Sequence, residues 1–234
     1  MTINPLKRPM IVAPVLPLII CLLTTLILLG LHGYFTTSAS TQVPVHWGIH
    51  GQPDRLGGRA EAFLLIPVVG IVLGLLLTLL PEFARGVTRA NLEKSAHAWR
   101  VCTVAPLAIL LLVQIGIQAA ATNPSFPTAR LILISVSLLF VILGAVLSKT
   151  RPNPWLGVRT PWTLRNEVAW TRTHRAAAHC FVGVGLTSAL LGAVAPIAAA
   201  SGFLVSGMLA SSIWLVLYSR NICLAEEGKG AKGS

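Results

Sequence analysis

"MIVAPVLPLIICLLTTLILLGL", residues 10–31, runs through the chain without one acidic or basic side chain. About 18 or more such residues suffice to cross the hydrocarbon core as a helix, and in lipid a helix satisfies its own backbone hydrogen bonds. Lys7 and Arg8 precede the run, as they would in a secretory signal peptide. The run is too long for the apolar region of such a peptide, and "TSAS" after it is a weak cleavage signal. Residues 10–31 therefore read as a retained membrane span, and that reading decides the fold.

Five further windows free of Asp, Glu, Lys and Arg follow, at 62–80, 101–121, 131–148, 178–200 and 202–219. Composition agrees: 54% of the chain is apolar and 11% charged, against roughly 25% charged in soluble domains. The expected class is all-α, a polytopic membrane protein with six transmembrane helices, a short extracytoplasmic loop module and an interfacial cytoplasmic helix before span 5. Of the 18 Lys and Arg, only Arg55, Arg59 and Arg130 fall in one set of alternate loops. The positive-inside rule places the rest, and both termini, in the cytoplasm. The net charge of +11 thus suits anionic headgroups rather than direct nucleic-acid binding.

Four units suggest themselves: 1–81, a helical pair with a loop module at 32–61; 82–148, spans 3 and 4; 149–219, a distinctive loop with spans 5 and 6; and 220–234, a tail whose "EEGKGAKGS" composition predicts disorder. Cys21, Cys102, Cys180 and Cys223 fall in or beside spans, so no structural disulfide is implied. Pro14, Pro17, Pro67, Pro106 and Pro196 predict kinks within spans. The small-residue pairs Ser188/Gly192 and Gly207/Ser211 predict a tight hairpin of spans 5 and 6, turning through Ser201 and Gly202. The connection 81–100 is polar, and reads as mere continuation of the helix ends around it.

Function is sought in the two longer connections. In the outer one, "VPVHWGIHGQPDRLGGR", Val43 to Trp47 alternates like a strand, and "GQPD" is turn chemistry with Pro53 and Asp54. His46, His50 and Asp54 recur every four residues, the spacing of metal ligands on one helix face, but Gly48, Gly51 and Pro53 oppose a helix. A compact cap with His46 and Trp47 near the headgroups, secondarily able to contact a ligand, is the expectation; no metal or other cofactor is assigned.

The inner connection, "RPNPWLGVRTPWTLRNEVAWTRTHR" (151–175), begins extended, because each proline restrains its predecessor. Thr163 is expected to cap a helix that continues into span 5, with Glu167 in its first turns and Arg165 and Arg172 sharing a face against the membrane. Trp155, Trp162 and Trp170 suit the interface. Arg159, between Gly157 and Pro161, sits in a turn too specific for a plain connector.

This stretch closely resembles the signature of the SdpI immunity-protein family, with Pro152, Asn153, Gly157, Arg159, Thr160, Pro161, Trp162, Thr163, Leu164, Trp170, Thr173, His174 and Arg175 at matching spacing. The outer loop is similar to that family's companion N-terminal module, with His46, Trp47, Gly51, Pro53 and Asp54 in register. It departs at Gly48 and Arg59, where Asn and Lys are usual.

The resemblance implies immunity to a secreted peptide toxin. It also implies signalling, in which a small autorepressor of the winged-helix type is held at the membrane. On this reading His46, Trp47, His50, Gly51, Pro53 and Asp54 form the ligand face. Asn153, Gly157, Arg159, Thr160, Pro161, Trp162, Thr163, Trp170, His174 and Arg175 form the coupling loop, and no residue is catalytic.

Two other classes compete. A small transporter or exporter would use polar groups inside the spans, for which Gln114, Gln118 and His179 are the main candidates. A membrane enzyme would need His174, Glu167 and Arg159 to assemble, with no nucleophile at a diagnostic spacing.

Overall fold

The computed structural model describes residues 10–232, so Lys7 and Arg8 lie outside the described residues. Among the described residues, six helices have the length and composition to cross a membrane. In chain order these are α1 (Leu16–Thr36), α2 (Arg59–Leu79), α4 (Ala96–Thr122), α5 (Thr128–Leu147), α7 (Glu167–Val194) and α8 (Ile197–Lys232), with α3 (Gly86–Lys94) and α6 (Pro161–Arg165) short between them. A two-stranded antiparallel hairpin, β1 (Val43–Trp47) and β2 (Pro53–Gly57), joins α1 to α2. Helices α1, α2 and α4 pack together, as do α5, α7 and α8, and α4 against α5 joins the two groups.

Prolines move several boundaries. Pro14 and Pro17 do not kink α1 but open a 3-10 turn (Ala13–Val15) and the helix itself, positions where the missing N–H costs nothing. Pro196 likewise lies between α7 and α8, its carbonyl accepting from Ala199 and Ala200. Ala195 before it is extended, as a residue preceding proline prefers. The turn is therefore at 195–196 rather than through Ser201 and Gly202, which lie inside α8. Pro67 and Pro106 do lie within helices.

The small residues also sort differently. Gly207 faces Val184 of α7, whereas Gly192 faces Ile134 of α5. Ser188 ties α7 to α8 through its hydroxyl, which donates to the Ala200 carbonyl at 3.2 Å. Arg130 donates to the Gly192 and Ala195 carbonyls at the end of α7, a cation on the negative pole of a helix. The "EEGKGAK" tail, against expectation from its glycines, continues α8 as far as Lys232.

Two apolar clusters mark the ends of the first helix group. Val43, Ala62, Phe63 and Ile117 form one beneath the hairpin. Ile11, Val12, Ile19, Ala84, Leu92, Trp99 and Leu107 form the other at the opposite, basic end, where Trp155 and Leu156 of the 151–175 connection pack onto it.

Candidate functional site

At the basic end, residues 150–175 fold back into a clasp. Asn153 is buried, and its side chain uses all of its capacity: Nδ2 donates to the Arg151 carbonyl (2.8 Å) and the Leu156 carbonyl (3.3 Å), while Oδ1 accepts from the Trp155 and Leu156 N–H groups at 2.9 and 2.7 Å. This Asx turn delivers Gly157, whose φ of +115° is glycine territory. A Cβ there would stand 2.1 Å from His174 Nε2. Absence of a side chain is what lets the imidazole reach the backbone.

His174 is fully buried on α7 and stacks on Trp170, with centroids 4.0 Å apart. Its Nε2 accepts from the Val158 N–H at 3.0 Å and its Nδ1 faces the Trp170 carbonyl at 2.8 Å. Acceptor at one nitrogen and donor at the other describes the neutral Nδ1–H tautomer. Trp170 is equally buried, and its indole N–H donates to the Thr150 carbonyl at 3.0 Å. The expectation of an interfacial Trp170 is therefore corrected: the ring belongs to the interior, because the loop that supplies its partner folds over it. Trp155 and Trp162 are half-buried, Trp155 edge-on to Trp99 at 6.3 Å and Trp162 beside Ile222 and Cys223.

The cap is corrected as well. Thr160, not Thr163, caps α6: the Thr160 hydroxyl accepts from the Thr163 N–H (3.2 Å) and the Thr163 hydroxyl from the Thr160 N–H (3.0 Å), with Pro161 in the first turn. This reciprocal box satisfies two orphan donors. α6 ends after five residues at Asn166, which is extended and starts α7 by accepting from the Ala169 N–H at 2.9 Å. Arg165 and Arg172 thus stand on separate helices instead of one amphipathic face. The Thr160 hydroxyl also meets Ser219 Oγ of α8 at 2.9 Å.

The clasp rests on the 81–100 connection, which is more than a continuation of helix ends. Asn91 donates to the Pro152 carbonyl at 2.8 Å, and Ser95 Oγ accepts from the Arg151 N–H at 2.8 Å. Arg89 is buried between Glu93 (2.8 Å) and Glu82 (3.1 Å). Burial disfavours its charge, but the carboxylates of Glu93 and Glu82 outweigh that and hold its pKa above the ordinary value. These partners lie some 60 residues from the clasp in sequence, and a single polar Asn or Ser carries no signal of so distant a contact.

On the outer surface of the clasp stand Arg159, which donates to the Pro154 carbonyl at 2.6 Å, Pro161, and Arg175. Glu167 is exposed and paired with Arg151 at 3.0 Å. His174, Glu167 and Arg159 therefore have separate partners, and none hydrogen-bonds another.

At the other end the hairpin pairs Val43 with Gly57 and Trp47 with Pro53, with irregular steps between. The strand at 43–47 is as expected; its partner at 53–57 begins at Pro53 and Asp54, which the "GQPD" pattern assigns to the turn. Gly51 turns at φ +78°, and a Cβ there would lie 3.0 Å from Ile197, so the tip reaches over the start of α8. His46 Nδ1 and Asp54 Oδ1 meet across the strands at 2.5 Å, both well exposed. His50, Ile49 and Pro53 are exposed too, while Trp47 is half-buried over the Phe63 cluster. His46, His50 and Asp54 do not converge as three: among the described residues no group of three metal-ligating side chains comes together. Arg59 stacks over the Tyr34 ring at 4.5 Å and reaches the Thr37 carbonyl at 3.3 Å, securing the foot of the hairpin.

Six membrane-length helices with a clasped loop at one end and a small exposed hairpin at the other define a polytopic membrane protein. Residues 149–219, from the clasp through most of α8, are a match to the SdpI/YfhL protein family, and residues 18–71, spanning α1, the hairpin and part of α2, to a domain of unknown function, DUF1648. Immunity protein SdpI of Bacillus subtilis (strain 168) is 23% identical over 150 residues, 64% of this chain and 69% of that one. No solved structure matches. The chain is a multi-pass protein of the bacterial cell membrane.

Proposed function

We propose that this is a non-enzymatic immunity protein that protects the cell from a secreted peptide toxin. The observation that carries the reading is the match of residues 149–219 to SdpI/YfhL, alongside likeness to a protein named for immunity. The hairpin is the ligand face in this reading, since His46, Ile49, His50 and Asp54 present polar and apolar groups outward together. The clasp is the cytoplasmic coupling element, and Arg159, Pro161 and Arg175 are its outward groups, to which a small winged-helix autorepressor docks. The Gly51–Ile197 approach attaches the start of α8 to the hairpin, and the Thr160–Ser219 contact attaches a point about six turns further along it to the clasp, which supports passage of a signal between two global states.

The test is expression in toxin-sensitive cells that lack their own immunity gene, followed by challenge with the secreted peptide toxin. Survival is expected, and unchanged sensitivity overturns the reading. Gln114 favours a second reading as a small transporter: it is wholly buried in α4, and neither its amide nitrogen nor its oxygen meets a protein partner among the described residues. Substrate-dependent flux in proteoliposomes that disappears in Gln114→Leu would support transport; no flux with any solute tried removes it.

A further inference from the structure

One face of α7 is exposed along its full length. Val168, Arg172, Arg175, His179, Gly183, Leu186, Leu190 and Val194 follow one another at three- and four-residue steps, and all are exposed. The steps put them on one side of the helix. Their chemistry changes once: the basic end carries arginines, and beyond His179 the stripe is apolar, with Leu190 69% and Val194 86% exposed.

At the basic end the stripe opens into a shallow depression lined by Glu167, Val168, Thr171, Arg172 and Arg175. Its one carboxylate, Glu167, is drawn to Arg151 at 3.0 Å, and Arg172 leans toward Glu226 of α8 at 3.8 Å. Arg175 makes no ion pair or hydrogen bond among the described residues. Further in, Gly183 leaves a notch, with nothing within 4 Å of where its Cβ would be.

We propose that this face is a binding site for one anionic phospholipid of the cytoplasmic leaflet. The phosphodiester lies in the depression against Arg175 and Arg172, and an acyl chain runs past Gly183 along Leu186. Two guanidinium groups one helical turn apart match the oxygens of a phosphate in geometry and charge. The 11-residue rise from Arg175 to Leu186 is about 16 Å, half of the roughly 30 Å hydrocarbon core, so headgroup and chain fit one leaflet. Thr171 adds a hydroxyl at the rim. A zwitterionic lipid would bring its own cation to the arginines and lose most of the attraction. The inference shares Arg175 with the proposed coupling surface but does not rest on toxin immunity.

The test uses the full chain, purified in mild detergent and examined by native mass spectrometry, then returned to phosphatidylcholine nanodiscs with increasing phosphatidylglycerol. One retained anionic phospholipid is expected on the wild type, with a melting temperature that rises with phosphatidylglycerol. Arg172→Gln/Arg175→Gln is expected to lower lipid occupancy at least fivefold and to flatten that rise. Arg85→Gln/Arg220→Gln removes two exposed charges of the same end and is expected to change neither. Equal loss in both double variants would mean diffuse attraction to the surface, and equal retention of phosphatidylcholine would mean no headgroup selection; either overturns the site. Should the first double variant fold poorly, Arg175→Gln alone, which breaks no contact, is read in the same way, and full retention there is equally fatal. A second copy of the chain on this face would appear as a dimer that resists added phosphatidylglycerol, and this too would overturn the proposal.

Discussion

The two ends of the molecule use their polar residues in opposite ways. At the clasp, Asn153, Thr160, Thr163, Trp170 and His174 are buried and tied to backbone or to one another. At the hairpin, His46 and Asp54 meet while well exposed, and His50 stands out at the tip. A buried, saturated network fixes a shape, because any member lost leaves the others unpaired in a medium of low polarity. An exposed pair holds little energy and is free to exchange its partner for a ligand. A string of distinctive residues is thus no guide by itself to where a protein touches other molecules: most of the clasp's string is internal scaffold, and its outward groups are few.

The sharpest way to break this contrast is at Gly157. Gly157→Ala adds a methyl at φ +115° and 2.1 Å from His174 Nε2, combining backbone strain with displacement of a buried imidazole. A loss of ~3 kcal/mol or more is expected, seen as little monodisperse protein after extraction and a collapsed melting curve. Asn153→Ala comes next. It strips partners from two N–H groups and two carbonyls, for about 2–4 kcal/mol; Asn153→Asp, which keeps the acceptor side only, should fall between it and wild type. Thr160→Val removes the cap of α6 and the contact with Ser219, for ~1–2 kcal/mol. Ser219→Ala, which leaves the cap in place, should cost less. If these variants lose protection only in proportion to folded protein, the clasp is scaffold; protection lost with folding intact would make it an active surface.

Much of this organisation was legible in the chain, and the exceptions share a cause. The windows were plain because lipid demands uninterrupted apolar runs, and the hairpin's first strand because Val43, Val45 and Trp47 alternate. Prolines were legible as breaks but not as starts: Pro14 and Pro17 sit in the first turns of their elements, and Pro196 immediately precedes α8. At the clasp, "RTPWT" and "RNEVA" each contain a helix start, and reading them as one helix hid both Thr160 and Asn166. Burial of Trp170 and His174 could not be read, since Thr150 and Val158, which complete them, belong to a loop anchored at Arg151 and Pro152 by Ser95 and Asn91 far back in the chain. Local periodicity reports helices; it does not report a loop that folds over them.

The smallest expected change in stability is at the hairpin, and there the contrast is sharpened. His46→Ala and Asp54→Asn each remove a pair whose side chains are 63% and 50% exposed, so solvent screening limits the loss to about 1 kcal/mol or less. The strands keep their backbone pairing and Trp47 keeps its seat over Phe63, so melting curves should nearly superimpose on wild type. If the hairpin is the ligand face, the same variants abolish protection against the toxin. Arg59→Ala serves as the counterweight: it frees the hairpin's foot from Tyr34 and Thr37, and should lower stability more than either while leaving His46 and Asp54 present. Protection lost in the two nearly silent variants, and lost in Arg59→Ala only as far as the hairpin loosens, is the pattern that separates a surface used for contact from one that merely caps the bundle. Full protection in both His46→Ala and Asp54→Asn would take the ligand face away from this pair.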